Sequence, residues 1–300
     1  MPGPDSHYCG RFAPSPTGSL HLGSLIAALA SYLDARANAG RWLVRMEDLD
    51  PPREQAGAAD DILRGLEAHG LLWDGEVLWQ SRRYDAYRTA LSQLQMAGRL
   101  FRCDCTRAML GPGGACGGRC RPRQGEIKDP CAWRVMVEPD SQVVIADRIQ
   151  GTLDTALGRE LPDFTLLRKD GLFAYQLAVV VDDGSQGITD IVRGSDLLDS
   201  TPRQCYLQGL LDLPTPRYAH LPVITNELGQ KFSKQNHAPP LDNRMATHNL
   251  RLALRFLDQP VPPAELKNPG QLLAYAVDCW EMSRVPRQMA ASAAVTVGTH

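Results

Sequence analysis

Apolar positions along the chain follow two alternating rhythms. Tyr8 to Phe12 and Arg41 to Met46 are short runs suited to buried strands. Each is closed by residues that cannot continue a strand: Pro14, Pro16 and Gly18 after the first, Pro51 and Pro52 after the second. Between them Leu25, Ile26, Leu29 and Leu33 recur at helical spacing from Leu22 onward, with Ser19 placed to cap the start. Asp60 to His69 and Tyr84 to Gly98 repeat the helical rhythm, and Trp73 to Ser81 between them is a polar-aromatic loop or short strand. Strand and helix in alternation predict an α/β fold, a doubly wound, Rossmann-like parallel sheet.

The alternation breaks at Phe101. From there to Arg123 the chain carries Cys103, Cys105, Cys116 and Cys120 among glycines and has too few apolar residues to build its own core. Four thiolates suit a closed tetrahedral Zn²⁺ site with no position left for water, and the alternative is four reduced, unliganded thiols in a mobile loop. Strand-like alternation returns from Val143 to Thr165. The run Ala178 to Val181 patterns as a strand, as does Ile188 to Val192, and Asp199 to Leu211 as a helix. His220 to Thr225 is a strand feeding Lys231-Phe232-Ser233-Lys234. Asn243 to Leu257 and Gln271 to Trp280 are helical, separated by Pro260, Pro262 and Pro263, and the alanines that follow predict a frayed tail. The expected organisation is a sheet domain in two halves, 1–100 and 166–240, an insertion at 101–165 and a small helical part at 241–300.

Composition narrows the class. With 300 residues, 43% apolar and 22% charged, the chain can bury a sizeable core, and no run approaches the ~20 apolar residues of a membrane span. Met1 to His7 carry no leader pattern, so a cytoplasmic protein is expected, without disulfides; Cys9, Cys131, Cys205 and Cys279 are then packing residues. A net charge of -2 excludes a protein that coats nucleic acid indiscriminately. Arg99, Arg102, Arg107, Arg119, Arg121 and Arg123 are locally dense, either a face for phosphates or a solvated charged surface.

The turn between the first strand and helix holds the candidate chemistry. Free backbone N–H groups and the positive end of the helix dipole would face an anion there. His21 can donate to a phosphate oxygen, and Gly23 lets a flat ring approach the backbone. Taken alone, a His-x-Gly at a helix start describes a surface histidine, and two lysines describe solvated charge. Together, His21-Leu22-Gly23-Ser24 and Lys231-Phe232-Ser233-Lys234-Gln235 resemble the two signature motifs of class I aminoacyl-tRNA synthetases. Arg11-Phe12-Ala13-Pro14-Ser15-Pro16-Thr17-Gly18, Arg45-Met46-Glu47-Asp48-Leu49-Asp50, Val181-Asp182-Asp183 and Ile191-Val192-Arg193-Gly194 resemble the glutamyl subgroup, and the match runs from about Arg11 to Asn236.

The resemblance implies that a carboxylate attacks the α-phosphorus of ATP. His21, Gly23, Lys231, Ser233 and Lys234 would bind ATP with Mg²⁺, and His21 and Lys234 would be the catalytic pair. Arg11, Arg193 and Tyr175 would hold the side-chain carboxylate of L-glutamate and Glu47 its ammonium group, with Phe12, Ala13, Pro14 and Ser15 lining the pocket. Judged singly, Arg11 and Arg193 read as ordinary salt-bridge partners of Asp48, Asp50 or Asp196, and the motif context reverses that reading. The resemblance also implies a zinc-bearing insertion in which one ligand position varies, here Cys116, and a helix across Ala178 to Val181.

About sixty residues follow Asn236, fewer than an anticodon-binding domain needs. The nearest resemblance is therefore to the truncated glutamyl-queuosine tRNA(Asp) synthetases. These activate glutamate without tRNA and attach it to the queuosine base in the anticodon loop of tRNA(Asp), through the region that contacts the acceptor stem in the parent enzymes. A monomer is expected. A short glutamyl-tRNA synthetase charging a tRNA 3′ end, a nucleotidylyltransferase and a non-catalytic tRNA-binding descendant remain the alternatives. If Lys234 acts only in the transition state, Lys234→Ala lowers the rate of glutamate-dependent ATP–pyrophosphate exchange by roughly 10² to 10³ while leaving glutamate binding in place.

Overall fold

The computed structural model describes residues 7–225 and 239–292. In chain order the elements are β1 (Cys9–Phe12), α1 (Leu22–Ala37), β2 (Arg41–Met46), α2 (Ala58–Ala68), β3 (Leu78–Trp79), α3 (Tyr84–Met96), β4 (Leu100–Cys103) and β5 (Ala132–Met136). They continue as β6 (Val143–Asp147), β7 (Gly151–Thr155), α4 (Leu157–Glu160), β8 (Asp163–Leu167), α5 (Tyr175–Ser185), β9 (Asp190–Gly194) and α6 (Thr201–Leu210). Last come β10 (Arg217–Leu221), β11 (Val223–Thr225), α7 (Ala246–Phe256), α8 (Pro269–Asp278) and β12 (Ala290–Ser292).

Strands β1, β2 and β3 pair in parallel, as do β9 and β10. The two groups meet where the Thr189 N–H donates to the Cys9 carbonyl at 2.9 Å, at the start of both β1 and β9. The strand order is thus 3-2-1-9-10. The chain winds outward from β1 in one direction and from β9 in the other, and such a reversal leaves a crevice beyond the carboxyl ends of the two central strands. Helix α1 covers these strands with Leu25, Ile26, Leu29 and Leu33, all fully buried or nearly so.

Several elements differ from the sequence expectation, each for a physical reason. The run at 178–181 is part of helix α5, in agreement with the family resemblance rather than the strand pattern. Leu177 to Val180 and Asp182 to Asp183 are all buried, and burial on nearly every side erases the one-faced period by which a helix is recognised. The strand expected from His220 to Thr225 is split at Pro222 into β10 and β11. Of the alanines expected to fray, Ala290 and Ala291 belong to β12, which pairs in parallel with β11, and the later ones lie outside the described residues.

Helices α7 and α8 pack on α1, and their Leu250, Leu254, Leu272 and Leu273 share its core. Asp34 of α1 ties this assembly together. Its carboxylate accepts from the Tyr8 hydroxyl at 2.5 Å, from Arg148 in the β6–β7 turn at 2.5 and 3.0 Å, and from the Trp280 indole at 3.1 Å. Between β4 and β8 the antiparallel sheet β4-β5-β8 carries the cysteine segment, and β6 and β7 form an antiparallel hairpin. No described helix is long and apolar enough to cross a membrane.

Asp34→Ala takes the acceptor from two neutral donors, the Tyr8 hydroxyl and the Trp280 indole, and the nearer carboxylate from the Arg148 cation, in a mostly buried place. Removing one partner of such a pair is expected to cost about 3 kcal/mol, read as a lower midpoint in urea unfolding.

Candidate active site

The exit of β1 is shaped by its prolines. Ala13 to Pro16 lead the chain off the sheet, and Gly18, at φ 137°, adopts a backbone that side-chain-bearing residues avoid. The Glu47 N–H donates to the Pro14 carbonyl at 2.9 Å, so the exits of β1 and β2 are pinned together. Helix α1 is capped by His21, not by Ser19. The His21 ring Nδ1 accepts from the Ser24 N–H at 3.3 Å, and Ser24 Oγ accepts from the His21 N–H at 2.9 Å. Ser19 lies two residues too early and its hydroxyl is 3.4 Å from Asp61. With Nδ1 accepting, a neutral His21 carries its proton on Nε2. A Cβ on Gly23 would stand 3.1 Å from the His21 ring and from Ile224, tighter than ordinary contact.

A cavity of about 610 Å³ opens at the carboxyl ends of β1 and β9. Arg11, Phe12, Ala13, Pro14, Ser15, His21, Gly23, Glu47, Tyr175 and Arg193 all line it. Lys231, Ser233 and Lys234 lie outside the described residues.

The wall is charged on both sides. Arg11 is held through Nε by Asp183 at 3.1 Å, and the same Asp183 oxygen accepts from Arg45 at 2.8 Å. Burial pushes the Asp183 carboxyl upward, but the charges of Arg11 and Arg45 outweigh it and hold it below the ordinary value. Glu47 has the opposite balance. Arg45 stands 3.6 Å away, outside hydrogen-bond reach, Oε1 is buried with no hydrogen bond, and burial raises the carboxyl to about 7.

Arg193 is 5% exposed and has no carboxylate within ion-pair distance among the described residues. Its Nε donates to His220 at 3.1 Å, and its terminal nitrogens donate to Thr201 at 2.7 Å and to the Tyr175 hydroxyl at 3.4 Å. Of the acids weighed as partners from sequence, Asp48 is engaged by Ser81, and Asp50 by Arg53 and Arg168. Sequence reasoning missed Arg45, Asp147, Asp183, Thr201 and His220 as supports of the site. The available signal was a charged residue inside an apolar run, as at Arg45 in β2 and Asp183 in α5.

The four insertion cysteines converge. Cys105 Sγ is 3.7 Å from Cys116 and 3.5 Å from Cys120, Cys120 is 3.7 Å from Cys103, and all four sulfurs lie within 4.8 Å of one another. Four thiolates about 2.3 Å from a tetrahedral ion would stand about 3.8 Å apart, so the set fits a bound metal with Cys116 included. Asp163 on β8 anchors the segment, accepting from the Cys116 N–H at 2.8 Å and from Arg134 at 2.5 Å. Five of the six dense arginines serve the insertion itself: Arg99 pairs with Glu138, Arg102 with Asp129 and Arg123 with Asp104, while Arg119 and Arg121 donate to backbone carbonyls, and Arg107 is exposed. This favours the charged-surface alternative over a dedicated phosphate face.

Comparison with known proteins agrees with this geometry. Residues 9–111 and 122–252 match the family described as tRNA synthetases class I (E and Q), catalytic domain. A glutamyl-Q tRNA(Asp) synthetase of Neisseria meningitidis serogroup A / serotype 4A is 55% identical over 291 residues, covering 93% of this chain and 98% of the relative. One of Thiobacillus denitrificans is 56% identical over 292 residues, covering 92% and 94%. The solved structure of a glutamate tRNA ligase from Elizabethkingia meningosepticum in complex with its amino acid superposes with a TM-score of 0.80 at 23% identity, over 97% of this chain and 68% of that one. That last likeness speaks to the fold alone. With more than half of the sequence shared across nearly the whole length of named relatives, the chain belongs to the glutamyl-Q tRNA(Asp) synthetase family, ligases of the class I (E and Q) group.

Proposed function

We propose that the cavity activates L-glutamate with ATP, without tRNA, and that the glutamyl group then passes to the queuosine base in the anticodon loop of tRNA(Asp). The observation that carries this is Arg193, a buried cation with no acid partner among the described residues, facing the same space as Glu47, whose Oε1 is buried without a hydrogen bond, and the helix-capping His21. A buried guanidinium calls for an anionic guest, and a desolvated carboxylate whose Oε1 has no hydrogen bond calls for a cationic one. An amino acid with an acidic side chain is both.

In this reading the glutamate side chain lies between Arg11 and Arg193 with the Tyr175 hydroxyl beside it, and its ammonium group meets Glu47. The α-carboxylate is left free to attack the α-phosphorus, and the bond to pyrophosphate breaks as the new one forms. His21 Nε2 and the first N–H groups of α1 receive phosphate oxygens, and Lys231, Ser233 and Lys234 are assigned to ATP by family resemblance. Mg²⁺ accompanying ATP would share the charge. In the second step a nucleophile of the base attacks the acyl carbonyl and AMP leaves. Positioning and fixed charge supply the catalysis.

The direct test is glutamate-dependent ATP–pyrophosphate exchange without tRNA, followed by mass spectrometry of nuclease fragments from the reacted tRNA. A glutamyl mass on the anticodon-loop fragment is expected. An ester at the 3′ end would favour the charging alternative, and exchange independent of glutamate would favour a nucleotidylyltransferase.

Glu47 makes the first step pH-dependent. The ammonium group binds only the ionised carboxylate, which at about 7 is half protonated in the empty site near neutrality. The KM for glutamate should therefore fall about tenfold per pH unit on approaching pH 7 from below and level off above it, and Glu47→Gln should weaken binding and flatten the profile. The raised value also means that Glu47 lowers stability as pH climbs from 4.5 to about 7. Glu47→Gln accordingly raises the melting temperature more at pH 8 than at pH 5.

The cysteine cluster is assigned to one structural Zn²⁺, closed to water and outside the reaction. Metal analysis should find one zinc per chain. Cys105→Ser should lower that content and the melting temperature together.

A further inference from the structure

Arg193 reaches the cavity from β9, and three buried side chains hold it from behind. Asp147, the last residue of β6, is 2.6 Å from Nδ1 of His220 on β10. His220 Nε2 accepts from Arg193 Nε at 3.1 Å, and Thr201 Oγ1 lies 3.0 Å from that nitrogen and 2.7 Å from an Arg193 terminal nitrogen. His220 is fully buried, and its ring stacks on Tyr218, over which the Arg193 guanidinium also sits.

The direction of each bond follows from what the groups can do. An ionised carboxylate only accepts, so His220 Nδ1 carries the proton; a guanidinium N–H only donates, so His220 Nε2 presents a bare lone pair. Burial, joined by the charge of Arg193, disfavours a second proton on the ring, against the opposing pull of Asp147. The neutral ring could adopt the other tautomer, and then two N–H groups would face each other and Arg193 would be driven from its place. The carboxylate of Asp147 selects between these arrangements.

We propose that Asp147 is a positioning residue for substrate recognition: by fixing the His220 tautomer it holds Arg193 in the orientation that receives the substrate's side-chain carboxylate. The inference rests on the assignment of Arg193 to that carboxylate. Asp147 also closes the turn after β6, but with its other oxygen. Oδ1 accepts from the N–H groups of Ile149 at 3.0 Å, Gln150 at 2.8 Å and His220 at 3.2 Å, whereas Oδ2 alone meets the imidazole. Asp147→Asn can therefore keep the turn and lose the tautomer, since an amide nitrogen placed at Oδ2 donates where the carboxylate accepted.

The test is Asp147→Asn in glutamate-dependent ATP–pyrophosphate exchange, with ¹⁵N spectra of the histidine rings assigned by His220→Gln. The expected result is a KM for glutamate raised about tenfold or more, the loss of one charge-assisted hydrogen bond, with the KM for ATP and the melting temperature nearly unchanged. The His220 proton should move from Nδ1 to Nε2. A moved proton with an unchanged KM for glutamate overturns the inference, as does a rise in both KM values alongside a lowered melting temperature, which marks a purely structural role. If the variant does not fold, the wild-type spectrum decides: a proton on Nδ1 supports the proposal and a proton on Nε2 overturns it. Absence of glutamate-dependent exchange in the wild type would count instead against the functional assignment itself.

Discussion

A guanidinium held away from water must meet negative charge or strong acceptors, and at the crevice between β1 and β9 that requirement is met unequally. Arg11 and Arg45 share the carboxylate of Asp183, so their burial is compensated within the fold. Among the described residues Arg193 has only neutral partners: an imidazole, two hydroxyls and a backbone carbonyl. Breaking a buried ion pair costs several kcal/mol, and a cation left without one carries a comparable penalty until an anion arrives. Around Arg193 the described residues thus leave negative charge wanting, and in the proposed reading that deficit is a source of selectivity: a neutral amide in place of the glutamate side-chain carboxylate would leave it unrelieved.

The opposite wall shows the same logic with the sign reversed. Glu47 stands beside two arginines, yet Arg45 at 3.6 Å pairs with it without a hydrogen bond, so desolvation prevails and the carboxyl is raised to about 7. Its backbone is fixed by the Pro14 carbonyl, so the side chain owes its place to the turn after β1. One stretch of sequence therefore sets three features: the exit of Arg11, the height of Glu47 and the cap of α1. The prolines and glycine of Ala13 to Gly18 follow from that, since each feature needs a particular backbone direction, and the cap needs the His21 ring as well.

Much of this was legible in the chain because the first half is locally consistent. The apolar periods of α1, α2 and α3 and the breakers after β1 and β2 agree with the fold they build. Legibility failed where tertiary context replaced pattern. The run in α5 is buried nearly all round and lost its helical signature, and β12 is a strand only because β11 lies beside it. The cap of α1 was misplaced because serine is the commoner cap, and nothing local shows that a histidine ring folds back onto Ser24. In sequence the dense arginines suit a phosphate face and a solvated charged surface equally, and only partners distant in the chain show Arg99, Arg102 and Arg121 bracing the insertion itself. Family resemblance supplied the candidate residues of the cavity, but not the shell behind them, because Asp147 and His220 are separated by more than seventy residues of chain.

The turn that joins β6 to β7 concentrates much of that hidden shell. Asp147 orients the ring that holds Arg193, and Arg148 reaches across to Asp34 of α1. Ile149 enters the core shared by α1, α7 and α8, and Gln150 donates to the carbonyls of His220 and Gln288. Four successive residues thus fasten the substrate cavity, the first helix and the segment leading into β12. Groups fastened this way cannot relax one at a time, because displacing the turn breaks several buried hydrogen bonds at once, each costly to leave unmade. The insertion that carries this turn departs from the parallel sheet and returns to it. Its contribution to the cavity is therefore made from behind, through Asp147 and His220, and it is this indirect support that makes the orientation of Arg193 a property of both parts of the fold.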